Sequence, residues 1–170
     1  METNKVTPRF NYTQHAWQGA NYQPDLGITE IAKLVRAKLK EQYPACKFSV
    51  TVEKYSGGCS MSVRLMAAPF AAIATPDPDK IPNRALTWGV EQAMKSWQNL
   101  ADRQHHQVNH YYIQDDYYMT EEAKEVLGAA TKLANSFNYD DSDSMIDYFH
   151  TNFYLHVAIG KWDKPFTKTN

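Results

Sequence analysis

Residues 47–65 read KFSVTVEKYSGGCSMSVRL, and this stretch predicts a β-hairpin. Apolar and polar side chains alternate on both sides of a Gly-Gly pair, and a period of two indicates strands with one buried face. The turn falls at Tyr55–Gly58. Because the other face is polar and carries Arg64, the pattern favours an antiparallel sheet with one face covered by helices. The apolar face comprises Phe48, Val50, Val52, Cys59, Met61, Val63 and Leu65.

Helices are predicted on both sides of the hairpin. Apolar residues recur every three or four positions over 28–42 and over 121–137, which indicates helices with one apolar stripe each. Thr120 is expected to cap the second of these helices. A further helix is predicted over 85–103, a short strand over 109–113 and a last strand over 152–160. If the stripes cover the sheet, Leu34, Val50 and Leu133 are buried.

These elements predict an α+β fold: a small antiparallel sheet, made of the hairpin and the C-terminal strand, covered on one face by two to three helices. A chain of 170 residues has the usual size of one domain. We divide it into an N-terminal arm or irregular segment (1–27), a single domain (28–163) and a C-terminal tail (164–170). Aromatic residues make up 13% of the chain, which suits either a tyrosine-rich core or a recognition surface.

Charge and composition restrict the setting. A net charge of −1 argues against nucleic-acid binding that depends mainly on phosphate neutralisation, although the lysines of the helix over 28–42 leave a local basic face open. No window approaches eighteen apolar residues, so no membrane span is expected. The two cysteines, Cys46 and Cys59, are expected to be unpaired, which suits a reducing compartment. We therefore expect a cytoplasmic protein.

Four carboxylates lie close together in the segment 138–150, at Asp140, Asp141, Asp143 and Asp147. Three interpretations remain open: a Mg²⁺ or Ca²⁺ site, turn and N-cap chemistry started by Ser142 or Asp143, and a surface that faces a partner. The segment lacks the glycine and glutamate of a calcium loop. It also contains no Lys or Arg between residues 133 and 160, so a cationic neighbour must come from elsewhere, with Arg36 and Arg64 as candidates.

We predict partner-binding residues from these features, with the solvent-facing carboxylates on a surface shared with Tyr148 or with the hairpin turn. The predicted residues are Tyr55, Ser56, Gly57, Gly58, Arg64, Asp140, Asp141, Asp143 and Tyr148. The sequence contains no nucleophile elbow, zinc-protease motif or phosphate-binding loop. The histidines His105, His106 and His110 lack a second ligand cluster at zinc spacing. We accordingly predict no catalytic residue, no metal site and no cofactor.

Three segments carry a resemblance to a known family. They are IAK at 31–33 through LK at 39–40 with YP at 43–44, then KFSV at 47–50 with YSGG at 55–58, and then NYDDSDSM at 138–145 with DYF at 147–149. Together they resemble the large polyvalent protein-associated domain of type 29, over about residues 28–163 and with a weaker middle at 67–108. The resemblance implies a protein of phages, plasmids or other mobile elements that acts in bacterial cytoplasm.

Three functional hypotheses follow. The leading one is a non-enzymatic accessory protein that binds a protein complex of the host or the element, as a counter-defence inhibitor of the anti-CRISPR or anti-restriction type. The second is a nucleic-acid-binding module that uses the basic helix over 28–42 and the hairpin face with Arg64. The third is a metal-dependent hydrolase or nuclease that uses Asp140–Asp147. The sequence predicts no particular oligomeric state.

Overall fold

The structure is a computed structural model and describes residues 11–170. The α+β class is confirmed, and a two-stranded sheet accompanies the main one. In chain order the elements are β1 (Trp17–Gln18), α1 (Ile28–Gln42), β2 (Lys47–Tyr55), β3 (Gly58–Ala68), α2 (Val90–Arg103), β4 (His106–Val108), α3 (Glu121–Asn135), β5 (Tyr139–Asp140), β6 (Tyr154–Ile159) and β7 (Thr167–Lys168). Short 3₁₀ turns span Pro78–Lys80, Asn83–Trp88, Ile113–Asp115 and Ser144–Ile146.

The main sheet has the strand order β2-β3-β6-β4. The predicted hairpin is confirmed, with β2 and β3 antiparallel and Tyr55 opposite Gly58. The C-terminal strand β6 differs from the prediction because it runs parallel to β3, with Ser60 opposite Tyr154. The reason is the long connection through α2 and α3, which returns the chain to the end of the sheet where β3 began. The sheet is therefore mixed.

The apolar face of the sheet is covered by α1 and α3, as predicted. Val50 is buried and Leu133 is partly buried against the core. The prediction for Leu34 is wrong, since this side chain is 41% exposed. The residues of α1 that are buried follow the helical repeat closely, and Leu34 lies about 60° beyond the edge of that stripe. They are Ile28, Ile31, Ala32, Val35 and Leu39.

Two predictions in the middle of the chain need correction. Regular helix begins at Val90 rather than near 85, because Gly89 has a φ of 86° and separates α2 from the 3₁₀ turn before it. The strand expected over 109–113 lies instead at His106–Val108. Residues after it turn, because the Asn109 side chain accepts a hydrogen bond from the backbone N–H of Tyr111.

Both ends of the described chain pack on the fold. Residues 17–18 form β1, which pairs with β5, whereas residues 1–10 of the expected arm lie outside the described residues. At the other end, Phe166 is buried and β7 pairs in parallel with β3. The segment predicted as a C-terminal tail, residues 164–170, therefore contains residues that pack on the sheet. None of the helices within residues 11–170 is long and apolar enough to cross a membrane.

Candidate functional site

The acidic loop, residues 138–150, contains β5 and leads from the end of α3 towards β6, and hydrogen bonds hold its two ends together. The buried Asn138 donates from Nδ2 to the carbonyl of Phe153 at 3.0 Å and accepts from the Phe153 N–H at 3.2 Å. Asn152 donates from Nδ2 to the carbonyl of Phe137 at 3.1 Å. These bonds hold the two ends of the loop together, so its outer residues project from a fixed base.

Asp141 is the buried carboxylate of the loop, with 1% of its surface exposed. It accepts hydrogen bonds from the backbone N–H groups of Tyr12 and Thr13, at 2.8 and 3.0 Å, and from the Thr13 hydroxyl at 2.7 Å. The sequence analysis placed Asp141 on the partner-binding surface. The structure gives it a structural role instead, because its oxygens anchor the N-terminal segment.

The environment of Asp141 favours its charged form. Burial by itself raises the pKa of this carboxyl, but the hydrogen bonds from Thr13 and Tyr12 outweigh burial, so that its pKa lies below the ordinary value. Hydrogen bonds donated to a carboxylate stabilise the ionised state directly. No lysine or arginine is needed to hold this charge, and the predicted candidates lie elsewhere: Arg36 donates to the carbonyl of Val50 and Arg64 to the hydroxyl of Thr51.

Asp140 and Asp143 each make a turn, as the cap interpretation predicts. Asp140 accepts from the N–H of Ser142 at 2.9 Å, and Asp143 accepts from the N–H of Met145 at 2.9 Å at the start of a 3₁₀ turn. With Asp141 turned towards Tyr12, the three carboxylates serve three different sets of donors. Residues 11–170 contain no group of three or more His, Cys, Asp or Glu side chains arranged to hold a metal ion.

The tip of the loop, residues 144–149, exposes large apolar side chains. Met145 is 89% exposed, Ile146 59% and Phe149 57%. The tip is closed by paired backbone bonds, in which the N–H of Asp143 donates to the carbonyl of Tyr148 at 2.7 Å and the N–H of Tyr148 donates back at 3.0 Å. Sequence reasoning missed this feature, because it considered the carboxylates of the segment and made no prediction about the exposure of Met145, Ile146 or Phe149.

Tyr148 supports the tip from one side. Its ring packs against that of Tyr12, with a centroid distance of 4.8 Å, and Tyr148 is only partly exposed. Because Asp141 holds the backbone of Tyr12, the N-terminal segment buttresses the tip through two contacts. The predicted surface residue Tyr148 therefore shapes the site more than it presents itself to solvent.

The hairpin turn Tyr55–Gly58 lies at the same end of the sheet as the acidic loop, because Ser60 pairs with Tyr154 just after that loop. Tyr55 and Tyr154 are exposed there, and a side chain built on Gly58 would touch both rings. Arg64 lies apart from the turn, six residues beyond Gly58, or about 20 Å further along β3. It contributes to a polar cavity of about 240 Å³ on the open sheet face, together with Glu53, Ser62 and His156. The structure thus brings the turn and the loop to one end and leaves Arg64 outside.

A buried pair that the sequence did not indicate joins β4 to the following turn. His106 Nε2 lies 2.6 Å from Asp116 Oδ2, and both side chains are largely buried. The N–H of Tyr118 donates to the other oxygen of Asp116 at 3.1 Å. His106 and Asp116 are ten residues apart, a spacing that no motif marks. The pair fastens the turn to the sheet edge, and no serine, threonine or cysteine lines the adjoining cavity of about 200 Å³.

Comparison with known proteins bears on this arrangement. A family model described as large polyvalent protein associated domain 29 matches residues 26–156. The matched range contains the hairpin and the whole acidic loop, and it agrees with the resemblance carried by the three sequence segments. No curated protein and no solved structure matches the chain significantly.

Proposed function

The chain belongs to the large polyvalent protein associated domain 29 family, which is associated with polyvalent proteins of mobile elements and phages, and from this premise we propose that it is an accessory protein that acts by binding a protein partner through the tip. The observation that carries the proposal is the exposure of Met145, Ile146 and Phe149 on a closed turn. Large apolar side chains that cluster on the surface mark interaction sites.

The energetics of the tip suit binding. Burying a side chain such as Ile146 or Phe149 contributes about 1.5–3 kcal/mol each, and the flexible thioether of Met145 adapts to an irregular pocket. Ordering a mobile loop would reduce this gain. Here the Asp143 cap and the Asp143–Tyr148 backbone pair already hold the turn, so little ordering remains to be done.

The charge around the tip indicates the kind of partner. Asp140, Asp143 and Asp147 lie on or beside it, and the sequence supplies no Lys or Arg between residues 133 and 160. Charged groups at the rim of an interface steer association and select partners of opposite charge. The partner therefore presents an apolar pocket with a basic rim.

We further propose that this partner is a defence complex of the host, of the CRISPR or restriction type, in bacterial cytoplasm, and that the protein acts as a non-enzymatic inhibitor. The support is the family's association with mobile elements, for which host defence is the obstacle, together with a surface built for binding. Inhibition by binding needs only a tight interface, and the tip offers one.

The test is a phage plating assay in bacteria that carry a defined restriction or CRISPR system. Expression of the protein should raise the plating efficiency of a targeted phage, and the double variant Ile146→Ser/Phe149→Ser should abolish this effect while its melting temperature stays close to that of the wild type. Trp88→Ser is the control, because Trp88 is a large apolar side chain that is even more exposed, at 85%, and lies outside the acidic loop. Equal protection by the wild type and by the double variant would contradict the role of the tip, and the absence of protection against every system would contradict inhibition.

A further inference from the structure

A groove with a cavity volume of about 900 Å³ lies at the end of the sheet opposite the acidic loop. We propose that it binds a segment of single-stranded nucleic acid. Twelve residues line it, and they include four cations but no Asp or Glu: the cations are Arg36, Lys47, Lys161 and Lys164. This site is separate from the tip and shares no residue with it.

The fold brings these cations together from three parts of the chain. Lys47 begins β2 and lies opposite Ala67 of β3, and Thr167 of β7 lies on the other side of the same Ala67. Between β6 and β7, Lys161 and Lys164 close a tight turn, since each donates its backbone N–H to the other's carbonyl, at 2.9 and 3.3 Å. The turn fixes the backbone of both lysines beside the groove, which the two side chains line.

Among the residues that the structure describes, the four cations have no carboxylate partner. Within residues 11–170, no Asp or Glu oxygen lies within 4.0 Å of any of them. Arg36 uses one nitrogen to donate to the carbonyl of Val50 at 2.6 Å and keeps further N–H groups for a ligand. Asp163, in the same turn as Lys161 and Lys164, does not line the cavity. Converging like charges repel, and a bound anion relieves that repulsion.

An exposed aromatic ring distinguishes nucleic acid from a simple anion. Trp162 is 85% exposed and directly follows Lys161, which lines the groove, although Trp162 itself, like Asp163, does not line the cavity. Proteins that bind single strands combine a basic groove for the backbone with aromatic rings on which bases stack. Phe48 adds apolar surface to the wall of the groove. The overall charge of −1 does not oppose this, because the acidic loop lies at the far end and a local field acts over short range.

The proposal is tested by fluorescence anisotropy with a labelled oligothymidylate of about 20 nucleotides. The logarithm of the association constant should fall linearly with the logarithm of the salt concentration between about 50 and 200 mM. The variant Lys161→Glu/Lys164→Glu should lose at least about tenfold in affinity and show a shallower salt slope. Trp162→Ala, which removes only an exposed ring, should also lose roughly tenfold.

The matched control is Lys95→Glu/Lys132→Glu, which makes the same charge change at two exposed lysines outside the groove. It should bind nearly as well as the wild type. If the two double variants lose the same amount of affinity for the oligothymidylate, the groove is not the binding site. The proposal is also wrong if the wild-type protein does not bind the oligothymidylate at low salt. If polyglutamate or duplex DNA of the same charge competes as well as the single strand, the assignment to single-stranded nucleic acid is wrong. Single-stranded RNA is run beside DNA, and preference for either supports the proposal.

Discussion

Asp141 attaches the N-terminal segment to the rest of the protein. Its partners, Tyr12 and Thr13, lie 129 and 128 residues away in the sequence. No local pattern therefore distinguishes Asp141 from Asp140 or Asp143. Sequence reasoning did predict a cap at Ser142 or Asp143, and the structure has it at Asp143, because capping depends on neighbours within two or three residues. Burial of Asp141 and exposure of Met145 depend on how distant segments meet, and they were beyond a local argument.

The first prediction concerns the charge of Asp141. In the variant Asp141→Asn, one carboxylate oxygen becomes an NH₂ group, which is itself a donor and cannot accept from the N–H groups of Tyr12 and Thr13. The melting temperature at pH 7 should therefore fall by several degrees. The pKa of Asp141 is lowered in the folded protein. The charge of Asp141 therefore stabilises the folded state fully at a pH above the pKa of the unfolded state, about 3.9, and this stabilisation is lost as the pH falls through the lower pKa of the folded state. The gap between wild type and variant should therefore narrow below about pH 4.

Thermal melts across this pH range provide the measurement. Asp25→Asn serves as the control, since Asp25 is exposed and should change the melting temperature little at any pH. A gap that stays constant down to about pH 2 would show that the Asp141 charge is not what holds the N-terminal segment.

At the scale of elements, the sequence predicts what local periodicity controls. The hairpin and the position of its turn were predicted correctly, because the Gly-Gly pair and the alternation of apolar and polar residues agree. The direction of β6 was not predicted correctly, because it depends on the crossover through α2 and α3 and not on the residues of the strand itself. The bounds of helix α1 were predicted correctly, but Leu34 was wrongly assigned to its buried stripe. Ile31 already lies at the edge of the buried arc, and a step of three residues takes Leu34 about 60° beyond that edge.

The second prediction compares two leucines of α1. Leu39 is fully buried, whereas Leu34 is 41% exposed. Leu39→Ala should lower the free energy of unfolding by about 2–5 kcal/mol, because it removes packed methyl groups and leaves a cavity. Leu34→Ala should cost less than about 1 kcal/mol. Urea denaturation of both variants gives the comparison, and similar losses would mean that α1 is rotated relative to the arrangement described.

The third prediction concerns the close approach of Gly19 to the end of α3. A Cβ built there would lie 2.3 Å from the carbonyl oxygens of Asn135 and Ser136, which are backbone atoms and cannot move aside cheaply. Gly19→Ala should therefore displace β1 and lower the free energy of unfolding by about 1–3 kcal/mol. Chymotrypsin should then cut faster at Tyr12, Trp17 and Tyr22.

Gly27→Ala is the matched control for that experiment, because a Cβ on Gly27 meets nothing within 4 Å. Its cleavage pattern should match that of the wild type. Unchanged protection in Gly19→Ala would show that the N-terminal segment tolerates the shift without losing its contact with α3.

Across the whole molecule, the two proposed surfaces are separated by the length of β6. The acidic loop precedes Tyr154 and the Lys161–Lys164 turn follows Ile159, so about 20 Å of strand lies between them. One end carries carboxylates with exposed apolar side chains, and the other carries cations with an exposed tryptophan. Under the two proposals made above, a molecule polarised in this way would bind a basic protein at one end and a nucleic-acid strand at the other, as an inhibitor of a nucleic-acid-bound complex needs.

The fourth prediction is that the two surfaces act independently. Sites separated by more than about 10 Å with no shared contacts contribute additively, and the paired strands β3 and β6 between them form a rigid connection. The tip variant Ile146→Ser/Phe149→Ser should therefore bind the labelled oligothymidylate within about twofold of the wild-type affinity and with the same salt slope. The groove variant Lys161→Glu/Lys164→Glu should keep the affinity for the protein partner captured through the tip, measured without nucleic acid. If the tip variant loses nucleic-acid affinity as strongly as the groove variant does, the two ends form a single site, and the separation inferred from β6 does not describe how the protein works.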